Sequence, residues 1–240
     1  MKVYVYCLAE GVERLNKTPR GISNLPVRIA KFQDLSALVS VCGPDAFKVT
    51  RKNALAHHEV VRSITRQTTP LPARFGTLVT IQQLSNYVST HRQAIKAKLA
   101  HVRGRVEMNV RMIANIITDT SQDSKNEDVP GPGTAFLLEK QREIVREKAG
   151  VVYKKQLSLW LREKLEDLVN EEKISVVISE TVILARADHL IERVDVEEYR
   201  TKMANAVEGR PEARFMVSGP WPPYSFANIE LEFRSQFGVS

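Results

Sequence analysis

Hydrophobic and polar positions in the first hundred residues alternate between strand and helix patterns. Residues 3 to 8 are apolar at both odd and even positions, and a strand that is apolar on both faces belongs in the middle of a sheet. Further strands are predicted at 27–30, 35–41 and 105–113, the last with one wet face. Helices are predicted from Thr50, as a cap, to Arg66, and from Thr80 to Gly104, with Thr80 and Gln83 at capping-box spacing.

The second half of the chain opens with a long helical pattern. Leu138, Val145, Val152 and Leu159 recur every seven residues, so a helix is predicted from Thr134 to about Glu172, roughly 55 Å long. Packing on a sheet and coiled-coil pairing both explain this repeat, and Gly150 is a position where the helix could kink or divide. Strands at 176–178, 181–185 and 214–217 and a helix at 194–207 complete the pattern.

A polar stretch separates the two halves. Asp119–Gly133 is acidic, almost free of apolar residues and closed by Pro-Gly-Pro-Gly, as expected of an exposed linker. The sequence therefore predicts an α+β protein of two domains. They are a ferredoxin-like variant at 1–118 and, after the linker at 119–133, an α+β domain with the long helix at 134–227, followed by a C-terminal tail at 228–240.

Charge is unevenly distributed along the 240 residues. The net charge is +7, but residues 1–118 hold 18 basic and 6 acidic side chains, whereas residues 119–240 hold 17 basic and 22 acidic ones. A basic first half indicates an acidic partner, either nucleic acid or an acidic protein face, or simply a well-solvated surface with a biased mixture of charges.

Targeting and redox features are sparse. No apolar run approaches the roughly 20 residues that span a bilayer, and the first residues lack the apolar core of a signal peptide. Cys7 and Cys42 are far apart and form no CxxC pair, so neither a disulfide framework nor a zinc site is expected. These features favour the cytoplasm.

Two motifs in the first half suggest local chemistry. His57-His58-Glu59 lacks further ligands at metal-site spacing, because Arg62 stands where HExxH needs histidine; no metal is expected. Pro70-Leu71-Pro72-Ala73-Arg74-Phe75-Gly76 holds Leu71 extended before Arg74. Arg74 and Glu59 are a candidate structural pair, since buried charges are usually paired; the alternative is that Arg74 binds an acidic group of a partner.

A third motif, Gly219-Pro-Trp-Pro-Pro-Tyr-Ser-Phe226, presents aromatic side chains on a stiff segment that cannot be a helix or a central strand. It either forms a binding surface or closes the second domain. The tail alternates apolar and charged residues and can add a strand to its own sheet edge or a partner's. The candidate partner-binding residues are Trp221, Tyr224, Phe226, Ile229, Leu231 and Phe233.

Together these motifs resemble the GvpF/GvpL family of gas vesicle proteins over nearly the whole chain. The matching residues are His58-Glu59, Leu71 to Gly76, Gly219 to Phe226 and the Gly104-x-x-Glu107 entry into a strand; Ala73 departs from the larger aliphatic residue expected there. The resemblance implies a vesicle-associated wall or assembly protein that contacts the shell protein GvpA and other gas vesicle proteins. It implies neither catalytic residues nor a cofactor.

Two other function classes, an RNA-binding module and an enzyme, are less consistent with the sequence. An RNA-binding α+β module would use the basic first half, but Arg74-Phe75-Gly76 has the wrong order for an RNP motif and no second aromatic residue nearby. An enzyme would need a phosphate-binding loop, a nucleophile elbow or a metal set, and the sequence contains none of these motifs. We therefore expect a protein without enzymatic activity.

Overall fold

The computed structural model describes residues 2–15, 19–43, 47–65, 67–116, 132–179, 181–227 and 229, with the side chains of 132–138 and 166 excepted. The chain forms two compact units. The first unit runs to Glu107 and also contains the described residues from Pro220 onward, and the second is Met108–Gly219. The sequence predicts a first domain of residues 1–118 instead. Predictions for the linker residues 119–131 and for the tail beyond Ile229 lie outside the described residues.

The first unit is built on an antiparallel sheet. Strand β1 lies between β3 on one side and the short strands β4 and β5 on the other, and β2 pairs with the far edge of β3. The predicted central position of the first strand is confirmed. The strands are β1 Lys2–Glu10, β2 Arg28–Phe32, β3 Leu35–Cys42, β4 Leu71–Pro72 and β5 Leu78–Thr80.

Capping hydrogen bonds mark the start of two of the three described helices in this unit. In α1 (Arg51–Thr65), Thr50 Oγ1 accepts a hydrogen bond from the Asn53 N–H at 3.2 Å. In α2 (Ile81–Thr90), Thr80 and Gln83 form the predicted capping box, with bonds of 3.1 and 2.8 Å. The predicted single helix breaks at His91 and resumes as α3 (Arg92–Val102). The weak helix formers that end α2, with hydroxyl side chains that compete for backbone groups, account for the break.

The core of the first unit is organised by two buried tyrosines of β1. Tyr4 and Tyr6 are fully buried and pack against α1 through Val60, Val61 and Ile64. The Tyr6 hydroxyl accepts from the Ile22 N–H at 2.9 Å and lies 2.8 Å from Ser40 Oγ. These bonds satisfy a polar atom that would otherwise be costly to bury.

The second unit places two helices on one face of an antiparallel sheet with strand order β7-β8-β6-β9. Leu157, Leu161 and Leu165 of α4 are buried, as are Tyr199 and Met203 of α5. The α+β prediction is confirmed: the described chain has five α-helices and two antiparallel sheets. The elements are β6 Arg105–Asn115, α4 Pro132–Leu165, β7 Val169–Ile178, β8 Val182–Glu192, α5 Val196–Glu208 and β9 Ala213–Trp221.

The end of the long helix differs from the prediction. Helix α4 stops at Leu165, and Val169 already begins β7. Glu171, Glu172 and Lys173 have helical propensity, but pairing with β8 along the whole strand overrides it. Gly150 does not divide the helix, which is continuous through that position.

Candidate functional site

The Gly219–Phe226 motif ends an edge strand and then turns. Trp221 is the last residue of β9, and Pro222 and Pro223 are buried. The turn is closed by the N–H groups of Phe226 and Ala227, which donate to the Pro223 carbonyl at 3.2 and 3.0 Å. The expectation that this motif cannot be a central strand agrees with its place at the sheet edge.

A buried carboxylate holds this turn. Glu107 is 2% exposed and accepts from the Ser225 N–H at 2.6 Å and from Ser225 Oγ at 3.0 Å. The alternating pattern of β6 predicts Glu107 on the wet face, so periodicity alone missed its role. The signal that could have indicated it is the Gly104-x-x-Glu107 motif, in which Gly104 adopts φ +78°.

The three sequence motifs converge around one pocket in the first unit. The His58 ring lies 5.1 Å from that of Trp221, and its Nδ1 is 3.3 Å from the Tyr224 hydroxyl. Burial raises the pKa of Tyr224 well above its ordinary value, so its hydroxyl remains protonated. The pocket has a volume of about 400 Å³ and is lined by Ala54, His57, His58, Ala73, Arg74, Phe75 and Tyr224.

Both histidines of the pocket are neutral at neutral pH. Burial lowers the pKa of His57 to about 4, partly offset by the Ala73 backbone, and burial also lowers the pKa of His58. The Tyr4 oxygen accepts from the Gly76 N–H at 3.1 Å, so its proton is free to donate to His57 Nδ1 at 2.9 Å. Among the described residues, no group of three or more His, Cys, Asp or Glu could hold a metal ion.

The predicted pair of Arg74 and Glu59 does not form. Glu59 lies on the surface of α1 and pairs with Arg62 at 3.5 Å. Ala73 is buried and its N–H donates to the Tyr6 carbonyl at 2.8 Å. Since side chains alternate along an extended segment, Arg74 points outward. Arg74 is exposed, and the alternative that it binds an acidic group of a partner stays a prediction.

Ile229, predicted as a candidate partner-binding residue, lies at the edge of its own sheet, which is the other alternative predicted for the tail. Its side chain is 2% exposed, it pairs with Ala73 in a parallel bridge, and its N–H donates to the Pro72 carbonyl at 3.0 Å. It therefore extends its own sheet beside β4 and is not available to a partner. Trp221, Tyr224 and Phe226 are half-buried, and Leu231 and Phe233 lie outside the described residues.

The second unit carries an exposed apolar surface that the sequence analysis missed. Ile113, Val177, Leu184 and Met216 are between 48% and 63% exposed, on the face of the sheet away from the helices. We call these four residues the open sheet face. They line a concavity of about 500 Å³ together with Arg111, Arg186 and Arg214. Alternating apolar and polar residues along β7 would have indicated this surface, but the sequence predicts helix to about Glu172 and so hides part of that strand.

A buried polar network stabilises the opposite, helix-covered side of this sheet. His189 is fully buried; its Nδ1 lies 2.6 Å from the Tyr199 hydroxyl and its Nε2 3.2 Å from Glu172. Burial by itself raises the pKa of Glu172, but hydrogen bonds from His189 and Ser158 outweigh that effect and the net shift is downward. No described helix is long and apolar enough to cross a membrane.

Comparisons with known proteins agree over nearly the full length. The family model described as gas vesicle synthesis protein GvpL/GvpF matches residues 2–228. Gas vesicle protein L1 of Halobacterium salinarum is 24% identical, with 93% of this chain and 89% of the relative aligned. Gas vesicle protein F1 of the same organism is 21% identical, with 98% and 97% aligned.

Two solved structures share the fold. The crystal structure of the gas vesicle protein GvpF from Anabaena sp. PCC7120 superposes with a TM-score of 0.74 at 19% identity, covering 95% of this chain and 96% of that one. That of GvpF from Microcystis aeruginosa superposes with a TM-score of 0.73 at 17% identity, covering 95% and 99%. The resemblance identified from the sequence motifs is therefore confirmed.

Proposed function

Because the chain belongs to the GvpL/GvpF family of gas vesicle synthesis proteins, we propose that it supports vesicle assembly by binding the shell protein GvpA. In this proposal it acts in the cytoplasm, together with other gas vesicle proteins, and limits aggregation of the shell protein during nucleation. It does so as a binding protein rather than as an enzyme.

The observation that carries this proposal is the open sheet face. Four large apolar side chains, each about half exposed or more, share one face of the second sheet. Contiguous exposed apolar patches are rare on soluble proteins and mark binding sites. A protein that limits aggregation needs such a surface, because it must cover the apolar surface of the protein that it protects.

The Gly219–Phe226 motif, which we call the aromatic segment, is a second candidate surface for the same partner. Trp221 and Phe226 are half-buried, and Leu231 and Phe233 stay predicted contacts. Tyr224 contributes to packing through His58. The RNA-binding alternative loses support, because Tyr4 and Tyr6, the aromatic residues of the central strand, are fully buried and cannot stack on bases.

A cross-strand pair provides the experiment. Val177 and Leu184 lie directly opposite each other on β7 and β8. We expect Val177→Asp with Leu184→Asp to abolish suppression of GvpA aggregation, measured by light scattering of purified proteins. Vesicle yield in cells, counted by electron microscopy, should fall in parallel.

The matched control is Val194→Asp, an aliphatic residue of the same unit that is 88% exposed and lies outside the sheet. It should behave like the parent protein. Circular dichroism establishes that each variant is folded. If the folded double variant suppresses GvpA aggregation as well as the parent protein, the open sheet face is not the GvpA site. The aromatic segment then becomes the candidate site.

A further inference from the structure

Helix α4 has a second apolar face besides the one that packs on the sheet. Leu157, Leu161 and Leu165 are buried toward the sheet. At 100° per residue, another set of aliphatic residues covers one flank and the far side of the helix, with exposures between 51% and 66%. This outer stripe consists of Ile144, Val145, Val151, Val152 and Leu159.

The spacing of the outer stripe is typical of a seam between helices. Val145, Val152 and Leu159 are seven residues apart, and Ile144 and Val151 repeat the same interval. A seven-residue apolar repeat keeps one side of a helix facing a partner helix. None of the described residues covers the stripe, whose members are all at least half exposed.

Two lysines specify the charge of the occupant. Lys148 and Lys155 project from the middle of the stripe by helical geometry, and neither forms an ion pair with the described residues. A second copy of the chain would bring these lysines against their own counterparts in either orientation, and like charges across a helix pair are destabilising.

A membrane surface fits the stripe less well. Helices that lie in a bilayer interface carry their basic residues on the polar face rather than within the apolar one. An amphipathic helix with acidic residues fits the stripe. Its apolar side chains can cover the aliphatic residues, and its carboxylates can pair with the two ammonium groups at the seam.

We propose that the outer stripe of α4 binds an amphipathic α-helix of a partner protein, with apolar residues at heptad spacing and acidic residues opposite Lys148 and Lys155. This inference does not depend on the open sheet face. That face lies on the other side of the same sheet, so the second unit presents surfaces for two different partners at once.

A pair of designed peptides tests the proposal on the full chain. The probe is a fluorescein-labelled helical peptide of about four heptads with leucine at the a and d positions and glutamate at e and g. Its twin carries lysine at e and g. Fluorescence anisotropy should show the acidic peptide binding at least roughly tenfold more tightly than the basic one.

Charge reversal on the helix provides the decisive comparison. Lys148→Glu with Lys155→Glu should invert the preference, so that the basic peptide binds better. Lys154→Glu with Lys164→Glu is the matched control, since these lysines lie on the same helix away from the stripe, and it should keep the original preference. Circular dichroism checks the fold of both variants.

Two outcomes would overturn the proposal. One is equal binding of both peptides, or a preference that the reversal leaves unchanged. The other is a concentration-dependent dimer in sedimentation velocity that Val152→Asp abolishes, which would assign the stripe to a second copy. Because GvpA is absent from these assays, their result is independent of the light-scattering experiment on the open sheet face.

Discussion

His57 illustrates at the residue scale how packing changes chemistry. It lies on α1 and is 3% exposed, with its Nδ1 bonded to Tyr4. A His-His-Glu sequence suggests metal or acid–base chemistry when taken alone. In the folded chain, burial keeps the imidazole neutral and part of the aromatic core around Tyr4, Tyr6 and Phe75.

The buried imidazole makes stability depend on pH. Its folded pKa is about 4, whereas an unfolded histidine titrates near pH 6.5. As pH falls, the unfolded chain therefore binds the proton first, which favours unfolding. The stabilisation that neutral His57 gives the folded state is full above about pH 6.5 and is lost as pH falls toward 4. That contribution amounts to about 3 kcal/mol.

Urea unfolding at about pH 7 and about pH 4.5 measures this effect. The parent protein should lose more unfolding free energy between the two conditions than His57→Gln, which cannot titrate at this position. Carboxylates contribute equally to both proteins. Identical pH dependence of the unfolding free energy in the two proteins would show that His57 does not contribute to acid destabilisation.

Glu107 provides a second prediction at this scale. Glu107→Gln replaces one acceptor by an amide NH2 that faces the donors of Ser225, so unfolding free energy should fall by about 2 kcal/mol. Ser225→Ala should cost less, because the backbone N–H still donates to the carboxylate. Thermal melts rank the two variants, and a larger loss for Ser225→Ala would contradict the proposed role of Glu107.

Helix α4 dominates the element scale, because one helix serves two surfaces. Its inner face packs on the second sheet through Leu157, Leu161 and Leu165, and its outer stripe is exposed. Strand β7 follows after a three-residue turn of 3-10 helix, Glu166–Leu168. The residues of β7 have mixed propensity, and it is their pairing with β8 that makes them a strand.

Gly150 tests how much of the stability of α4 is intrinsic. It lies within the continuous helix, and an added Cβ would meet nothing within 4 Å. Gly150→Ala should therefore raise the unfolding free energy by about 1 kcal/mol, through higher helix propensity. Differential scanning calorimetry measures the change as a higher Tm.

Gly76→Ala is the control for this substitution. Gly76 has φ +94° and its N–H bonds to Tyr4, so alanine there should destabilise the protein. A stabilising effect at both glycines, or at neither, would mean that backbone conformation does not govern their contributions.

At the scale of the whole molecule, the two units do not follow chain order. The first unit combines residues up to Glu107 with residues from Pro220 onward. Ser225 donates to Glu107 and Ile229 bonds to Pro72. The C-terminal segment is therefore part of the core of the first unit.

Truncation separates the structural part of the tail from the part proposed to bind. Ending the chain after Ala227 removes the buried Ile229 and its backbone bond, which should cost about 2–4 kcal/mol. Ending it after Ile229 keeps both and removes Leu231 and Phe233. Thermal melts should show destabilisation only in the shorter chain. Equal stability of the two truncated proteins would show that Ile229 contributes little.

Cleavage of the predicted linker gives the last prediction. Brief proteolysis within residues 119–131 should yield two fragments that elute together in size-exclusion chromatography, since each contributes residues to the first unit. The isolated fragment 1–118 should unfold at lower temperature than the nicked protein, because it lacks the segment from Pro220 onward. Separate elution of two stably folded fragments would instead show that the two halves of the chain are independent domains.

Local patterns carried much of the correct prediction. The apolar run at residues 3–8 determined a central strand because both of its faces must be buried, and Thr80 with Gln83 determined a helix start through bonds between near neighbours. The three motifs likewise identified the family. These features depend on residues close in sequence or on whole motifs, so the sequence alone was sufficient.

Tertiary structure decided which residues meet. The opposite charges of Arg74 and Glu59 predict that they pair. In the structure the side chain of Ala73 is buried, so that of Arg74 points to the surface. Glu59 instead pairs with Arg62, one turn along its own helix. Glu107 and Ser225 are 118 residues apart, and no periodicity connects them. The open sheet face likewise depends on the pairing of β7 with β8, which places Val177 opposite Leu184. Long-range contacts arise from the packing of whole elements, and that packing lies beyond the reach of local propensity.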